Sequence, residues 1–133
     1  MSQQDVDTVR SAYEAFGRQD IPGVLDTFGD DIQWDVPDSL PFGGVFTGKD
    51  EVARFFGSLG DYYDELRVEP HEYLEAGDRV VVLGNHHGKV KDGDSFDARF
   101  AMVWTMRDGK AASFKEYTDT APIDRALQAK ATA

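Results

Sequence analysis

The chain has 133 residues, of which 41% are hydrophobic and 12% aromatic, and its 14 basic against 25 acidic side chains leave a net charge of -11. That is enough apolar chain for one core, expected as a single domain over residues 1–133. The acidic excess repels nucleic acid and anionic membrane surfaces, and the lack of cysteine excludes disulfides and thiolate metal sites.

No apolar run approaches the length of a bilayer span, and the first residues lack the pattern of a signal peptide, so a cytoplasmic location is expected. Ser2 and Asp5 form a capping-box pattern, and Val6, Val9, Tyr13 and Phe16 recur at helical spacing, which predicts an amphipathic helix ending near Gly17. A short second helix is expected from Asp20, with Pro22 in its first turn and Val24, Leu25 and Phe28 on its inner stripe. Asp30 to Val36 alternates as a strand that puts Ile32, Trp34 and Val36 on one face, and Pro37 ends it. Pro37 to Gly48 is rich in proline and glycine and reads as a loop, its Phe42 and Phe46 folding back over apolar surface. Thr47 and Asp50 repeat the capping box and open a helix with the stripe Val52, Phe55, Phe56 and Leu59, closed by Gly60.

From Tyr63 the pattern changes to strands and turns. Glu65 to Leu74 and Arg79 to Val90 are joined at Ala76-Gly77-Asp78, and Lys91 to Asp94 turns the chain again. Asp97 to Asp119 then reads as a hairpin about Asp108-Gly109, the strongest local hairpin signal. Its alternation sets Ala98, Phe100, Met102 and Trp104 on one face, with Phe114, Glu116 and Thr118 on the same side of the second strand. Thr120 caps a last helix with Pro122 in its first turn and Ile123 and Leu127 on one side, and the alanine-rich tail after Ala129 is expected to fray. The order of elements predicts an α+β fold, a curved antiparallel sheet with helices over its concave face enclosing a pocket.

These segments together resemble the nuclear transport factor 2-like superfamily, in its SnoaL-like or ketosteroid-isomerase-like branch. The resemblance rests on Tyr13-Glu14-Ala15-Phe16, Leu25-Asp26-Thr27-Phe28, Asp31-Ile32-Gln33-Trp34 before Pro37, the Gly48 to Phe56 segment, Gly77-Asp78-Arg79-Val80, and Val103-Trp104 through to Glu116-Tyr117. It implies a cone-shaped α+β barrel and a homodimer formed through the outer face of the sheet. The catalytic set of the ketosteroid isomerases is not matched, since their base falls at Val36 and their oxyanion donors at Ala12 and Met102. The limonene-epoxide hydrolases match better: their last-strand aspartate corresponds to Glu116 and a second to His86, although their arginine falls at Gly84. SnoaL-like polyketide cyclases also place a carboxylate and a histidine in the cavity.

Glu116, between Phe114 and Thr118 on an apolar face, is the candidate general acid/base, because desolvation raises a carboxyl toward working pH. The alternative is a glutamate at a strand edge facing water, or paired with Lys115 or Arg99. Of the adjacent His86 and His87 one faces in and one out. Val80, Val82, Gly84 and His86 make one inner set, which would let His86 share a proton with Glu116, while Val81, Leu83 and Asn85 make an almost equal rival. Tyr13, Phe16, Trp34, Phe55, Phe56, Phe100, Met102, Trp104 and Phe114 are candidates to line a pocket for a flat hydrophobic small molecule, or else are plain core. His71, His86 and His87 lack ligand-type spacing and no phosphate-binding glycine loop is present, so neither a metal nor another cofactor is expected. Two functions remain open: a cofactor-independent isomerase, cyclase or dehydratase, and a non-catalytic dimeric module that binds a ligand or a protein.

Overall fold

The computed structural model describes residues 2–132. Among them run four α-helices and six strands: α1 (Ser2–Gly17), α2 (Ile21–Leu25), β1 (Phe28–Val36), β2 (Gly44–Thr47), α3 (Lys49–Ser58), β3 (Tyr63–Ala76), β4 (Arg79–Val90), β5 (Ser95–Arg107), β6 (Lys110–Thr118) and α4 (Ala121–Thr132). A 3-10 turn, Leu59–Asp61, joins α3 to β3. The architecture is α+β, as the sequence predicts, built on one curved sheet in the order β2-β1-β6-β5-β4-β3. No helix among the described residues is long and apolar enough to cross a membrane.

One part of the fold expectation is corrected. The sheet is mixed, because β1 lies parallel to β6 while every other pair is antiparallel. Parallel neighbours need a long crossover, and here it is most of the chain. Such pairing leaves no local trace, so alternation within β1 cannot reveal its partner.

Other boundaries also move. Phe28 opens β1 and is not on the stripe of α2, although it is buried as expected. The supposed loop from Pro37 to Gly48 contains β2, which pairs Phe46 with Trp34. Helix α3 is capped at Gly48 without a side-chain bond, and Glu51 Oε1 accepts the Thr47 amide proton at 2.7 Å where Asp50 was expected to act. The alanine-rich end remains helical to Thr132. Asp20 does cap α2, its Oδ1 accepting from the Gly23 amide at 3.0 Å. The Ser2 half of the first capping box lies outside the described side chains.

The long hairpin turns where the sequence predicts, and its predicted apolar face is the inner one. Asp108 and Gly109 both adopt positive φ, 54° and 77°, the pair of values that a two-residue hairpin turn matched to strand twist requires. Beyond the turn an irregularity leaves Ala112 without an opposite residue, since Met106 pairs with Ala111 and Thr105 with Ser113, and this sets Trp104 opposite Phe114, Met102 opposite Glu116 and Phe100 opposite Thr118. Burial alternates along β4 and β5, so Val80, Val82 and His86 face inward with Ala98, Phe100, Met102 and Trp104. Helices α1 and α4 pack against that face, and α3 covers β1 and β2.

Gly84 sits where β3, β4 and the Phe100 ring close on one another. A Cβ there would lie 2.2 Å from the Glu69 carbonyl oxygen and 2.7 Å from Phe100 Cζ. Gly84→Ala is therefore expected to lower stability by about 1–3 kcal/mol, the usual cost of overpacking. Denaturant midpoints of the variant and parent measure this, and an unchanged midpoint would show that the strands separate freely.

Candidate functional site

Between the concave face and the helices lies a cavity of about 80 Å³, counted as room for the centres of water molecules. By that measure it holds roughly half a dozen waters. Its floor is Met102 and Trp104 of β5, Phe114 and Glu116 of β6, and Trp34 and Val36 of β1. Ala12, Tyr13 and Phe16 of α1 and Phe55 and Phe56 of α3 cover it, and Tyr63, Leu66 and Val68 of β3 close the far side beside His86. No lysine or arginine lines it.

Glu116 faces this cavity because the hairpin register puts it on the inner side, opposite Met102. The residue is half-buried overall, while its carboxyl lies deep within the chain and lines the cavity. Burial pushes its pKa up to about 7. The Thr118 hydroxyl, donating to Oε2 at 2.6 Å, acts in the opposite sense by favouring the charged form. At neutral pH the carboxyl is thus shared between acid and base forms.

His86 belongs to the inner set, and His87 faces out. The His86 ring packs on Phe100 at 4.8 Å between centroids, and its Nδ1 is buried without a hydrogen-bond partner. Burial, with a smaller push from His87, lowers its pKa to about 4, so the ring is neutral at ordinary pH. The direct proton-sharing contact expected between His86 and Glu116 is absent among the described residues. His86 pairs with Ala98 on β5, and Glu116 pairs with Met102 four residues further along the same strand.

Tyr13 forms the other polar cluster. Its hydroxyl accepts from Trp104 Nε1–H at 3.0 Å and donates to Met102 Sδ at 3.0 Å, while burial holds its pKa well above the usual phenol value. Sulfur is a weak acceptor, so this proton remains available to an oxygen entering the cavity. Trp34 stacks on Phe114 at 3.7 Å and 13°, and its Nε1–H is buried without a partner. Buried groups left unpaired in this way cost about 1–3 kcal/mol each. Both such side-chain nitrogens among the described residues belong to cavity-lining residues.

Of the candidates for the lining, Tyr13, Phe16, Trp34, Phe55, Phe56, Met102, Trp104 and Phe114 do line the cavity. Phe100 does not: its ring is drawn over Gly84 and under His86, so it is core that supports the histidine. Tyr63 was missed. Tyr63 and Leu66 are three apart, which in a regular strand means opposite faces, but an irregularity between Tyr63 and Glu65 resets the phase and brings both inward. Burial and the nearby Glu116 raise the Tyr63 hydroxyl pKa. The only available signal was its apolar, aromatic context beside Tyr62.

On the outer face His87 bonds to Asp97 through Nδ1 and to Glu69 through Nε2 at 3.1 Å, with His71 3.7 Å from the same Glu69 oxygen. These bonds raise the His87 pKa and lower that of Glu69. No group of three histidine or carboxylate side chains among the described residues is arranged to hold a metal ion.

The SnoaL-like domain family model matches residues 9–114. An uncharacterised protein of Mycobacterium tuberculosis is 29% identical over 122 residues, covering 90% of this chain and 93% of its own. Among solved structures, a nuclear transport factor 2-like protein of unknown function from Burkholderia pseudomallei superposes with a TM-score of 0.90 at 38% identity, over 97% of this chain and 100% of that one. TerC, co-crystallised with polyporic acid, superposes with a TM-score of 0.89 at 28% identity, over 94% of this chain and 98% of its own.

The titration of Glu116 has a consequence for stability. An unfolded glutamate titrates near 4.3 and the folded one near 7, so the native state holds the proton more tightly. Stability from this group is complete below about pH 4 and is lost as the pH rises through about 7. Between pH 5 and pH 8, Glu116→Gln is expected to gain about 2 kcal/mol relative to the parent. Denaturant midpoints at the two pH values check this, and parallel behaviour of the two proteins would refute a buried, proton-holding carboxyl.

Proposed function

Because the chain belongs to the SnoaL-like domain family, we propose that its cavity takes a hydrophobic small molecule and moves a proton on it without a cofactor, with Glu116 as general acid/base. The observation that carries this reading is a single carboxyl set in an apolar cavity that holds no lysine or arginine. A group titrating near 7 accepts and returns a proton at neutral pH with little penalty either way. Isomerisation, cyclisation and dehydration all need that service. The ionised carboxylate removes a proton next to a substrate carbonyl, and charge develops on the carbonyl oxygen. The Tyr13 proton, turned from the Met102 sulfur, is the donor we assign to that oxygen. The acid form of Glu116 then returns the proton at a second position. TerC with polyporic acid supports a small organic molecule as the occupant.

Deuterium exchange at the carbon next to the carbonyl of 2-tetralone, followed by NMR in heavy water, tests the chemistry. The parent is expected to accelerate exchange with a rate that rises with pH through about 7, and Glu116→Gln is expected to lose about 10²–10⁴-fold. Equal exchange by parent and variant would overturn the role of Glu116.

A second reading, a non-catalytic dimeric module, draws its support from the outer face of the sheet. Val81 pairs with Val103 and Leu83 with Ala101 there, four half-buried apolar side chains in one patch. We propose that a second copy covers this patch, whichever function the cavity serves. Val103→Lys is expected to give a monomer in sedimentation velocity, and a parent that is itself monomeric would refute the dimer. The cysteine-free sequence suits the reducing cytoplasm, where we place the protein.

A further inference from the structure

None of the residues that line the cavity is exposed, so an organic molecule enters only where part of the wall gives way. Most of that wall is tied down. Strands β1, β4, β5 and β6 each bond to a neighbour on both sides, and α1 buries Val9, Ala12 and Ala15 along its length. The Lys110 ammonium donates to the Asp26 carbonyl at 2.7 Å and the Ala111 amide to that of Thr27 at 2.9 Å, which holds the end of α2 to β6. The Lys91 amide donates to the Tyr62 carbonyl at 2.8 Å behind α3, and the Asp119 amide to the Arg99 carbonyl at 2.9 Å ahead of α4.

Residues 37–43, between β1 and β2, are the exception. Their two backbone bonds are internal: the Leu40 amide donates to the Pro37 carbonyl at 3.2 Å and the Gly43 amide to the Leu40 carbonyl at 3.0 Å. Asp38 and Ser39 are exposed, and their side chains make no hydrogen bond or ion pair among the described residues. Apolar contact alone holds this strap to the body. Leu40 is buried, and the Phe42 ring meets those of Tyr62 at 5.2 Å, Tyr63 at 5.4 Å and Phe55 at 6.4 Å. Both side chains line the cavity. The ends of the strap are pinched together, since a Cβ on Gly43 would lie 1.8 Å from the Pro37 carbonyl oxygen and 3.1 Å from Asp38 Cα. A loop closed on itself in this way swings on its neck without breaking a sheet ladder or a helix.

We propose that the strap of residues 37–43 is the door of the cavity and that Leu40 and Phe42 are its latch. A ligand enters as Leu40 leaves the cavity and Phe42 lifts off Phe55, Tyr62 and Tyr63, and the two side chains close over it afterwards. The door serves any occupant, whether or not Glu116 moves a proton on it. Helix α4 is the rival door, because Ile123 is its one contribution to the lining.

The chain has no cysteine, so a single introduced thiol reports where the wall opens. Leu40→Cys, Val24→Cys and Ile123→Cys place one in the strap, in α2 and in α4, at sites 3%, 2% and 3% exposed, so static exposure does not separate them. Each folded variant is treated with methyl methanethiosulfonate, and its rate is corrected for global unfolding measured in denaturant. The thiol of Leu40→Cys is expected to react at least about tenfold faster than the other two. Acrylamide quenching gives a second readout, because the two tryptophans of the chain, Trp34 and Trp104, both line the cavity. Gly43→Ala, which wedges the neck of the strap, is expected to raise the quenching constant at least about threefold. Gly84→Ala, crowded by a carbonyl in the same way but not lining the cavity, is expected to leave it unchanged. Equal rates for the three thiols, a faster thiol in α2 or α4, or the same quenching in the two glycine variants would overturn the door. Exchange on 2-tetralone that depends on Glu116 survives each of these results, and its failure leaves the door in place.

Discussion

The pairing of β5 with β6 about the Asp108-Gly109 turn decides what faces the cavity. Side chains alternate with a period of two, so a slip of one residue would turn Glu116 to the outer face and bring Lys115 and Tyr117 inward. Two residues at positive φ fix the turn, and an irregularity between Thr105 and Met106, paired with Ser113 and Ala111, then shifts the register by one residue and sets Trp104 opposite Phe114 and Met102 opposite Glu116. The same rows continue across β4 and β1 and place His86 and Trp34 on the concave side. The chemistry of the cavity is therefore a consequence of hairpin register.

Its electrostatics follow from what the register leaves out. The acidic surface charge is large, yet the interior face carries one carboxyl and no cation to pair with it. Desolvation then acts almost unopposed on Glu116, since the Thr118 hydroxyl offsets only part of it. The same desolvation neutralises His86. A structural ion pair would have held both groups charged and inert. Keeping them apart, with unpaired nitrogens on His86 and Trp34, is a local cost that the surrounding aromatic packing carries. The SnoaL-like family supplies the frame, but folds of this kind host unrelated activities, so function is argued from these side chains and not from the architecture.

The main elements were legible because their signals are local. Helical spacing at Val6, Val9, Tyr13 and Phe16, alternation along β5, and the Asp-Gly turn each act within a few residues. The inward aspect of Glu116 was also legible, since one strand's alternation implies it. The choice between His86 and its rival set Val81, Leu83 and Asn85 was not, because both sets are apolar enough and only pairing with β5 separates them. Tyr63 and Phe100 were misjudged for related reasons. An irregular start to β3 turned Tyr63 into the cavity, and the bare surface of Gly84 drew the Phe100 ring out of it.

By itself the sequence determined the order of the helices and of the strands other than β2, and the long hairpin with its apolar face and one carboxylate, because these depend on periodicity and turn chemistry between near neighbours. Only the tertiary structure decided that β1 lies parallel to β6, that β2 extends the sheet, that His86 faces inward, and that Glu116 and His86 stand apart across an apolar floor. Those relations are set by which strands meet and how the sheet curls, and contacts between distant segments leave no periodic mark on the residues that make them.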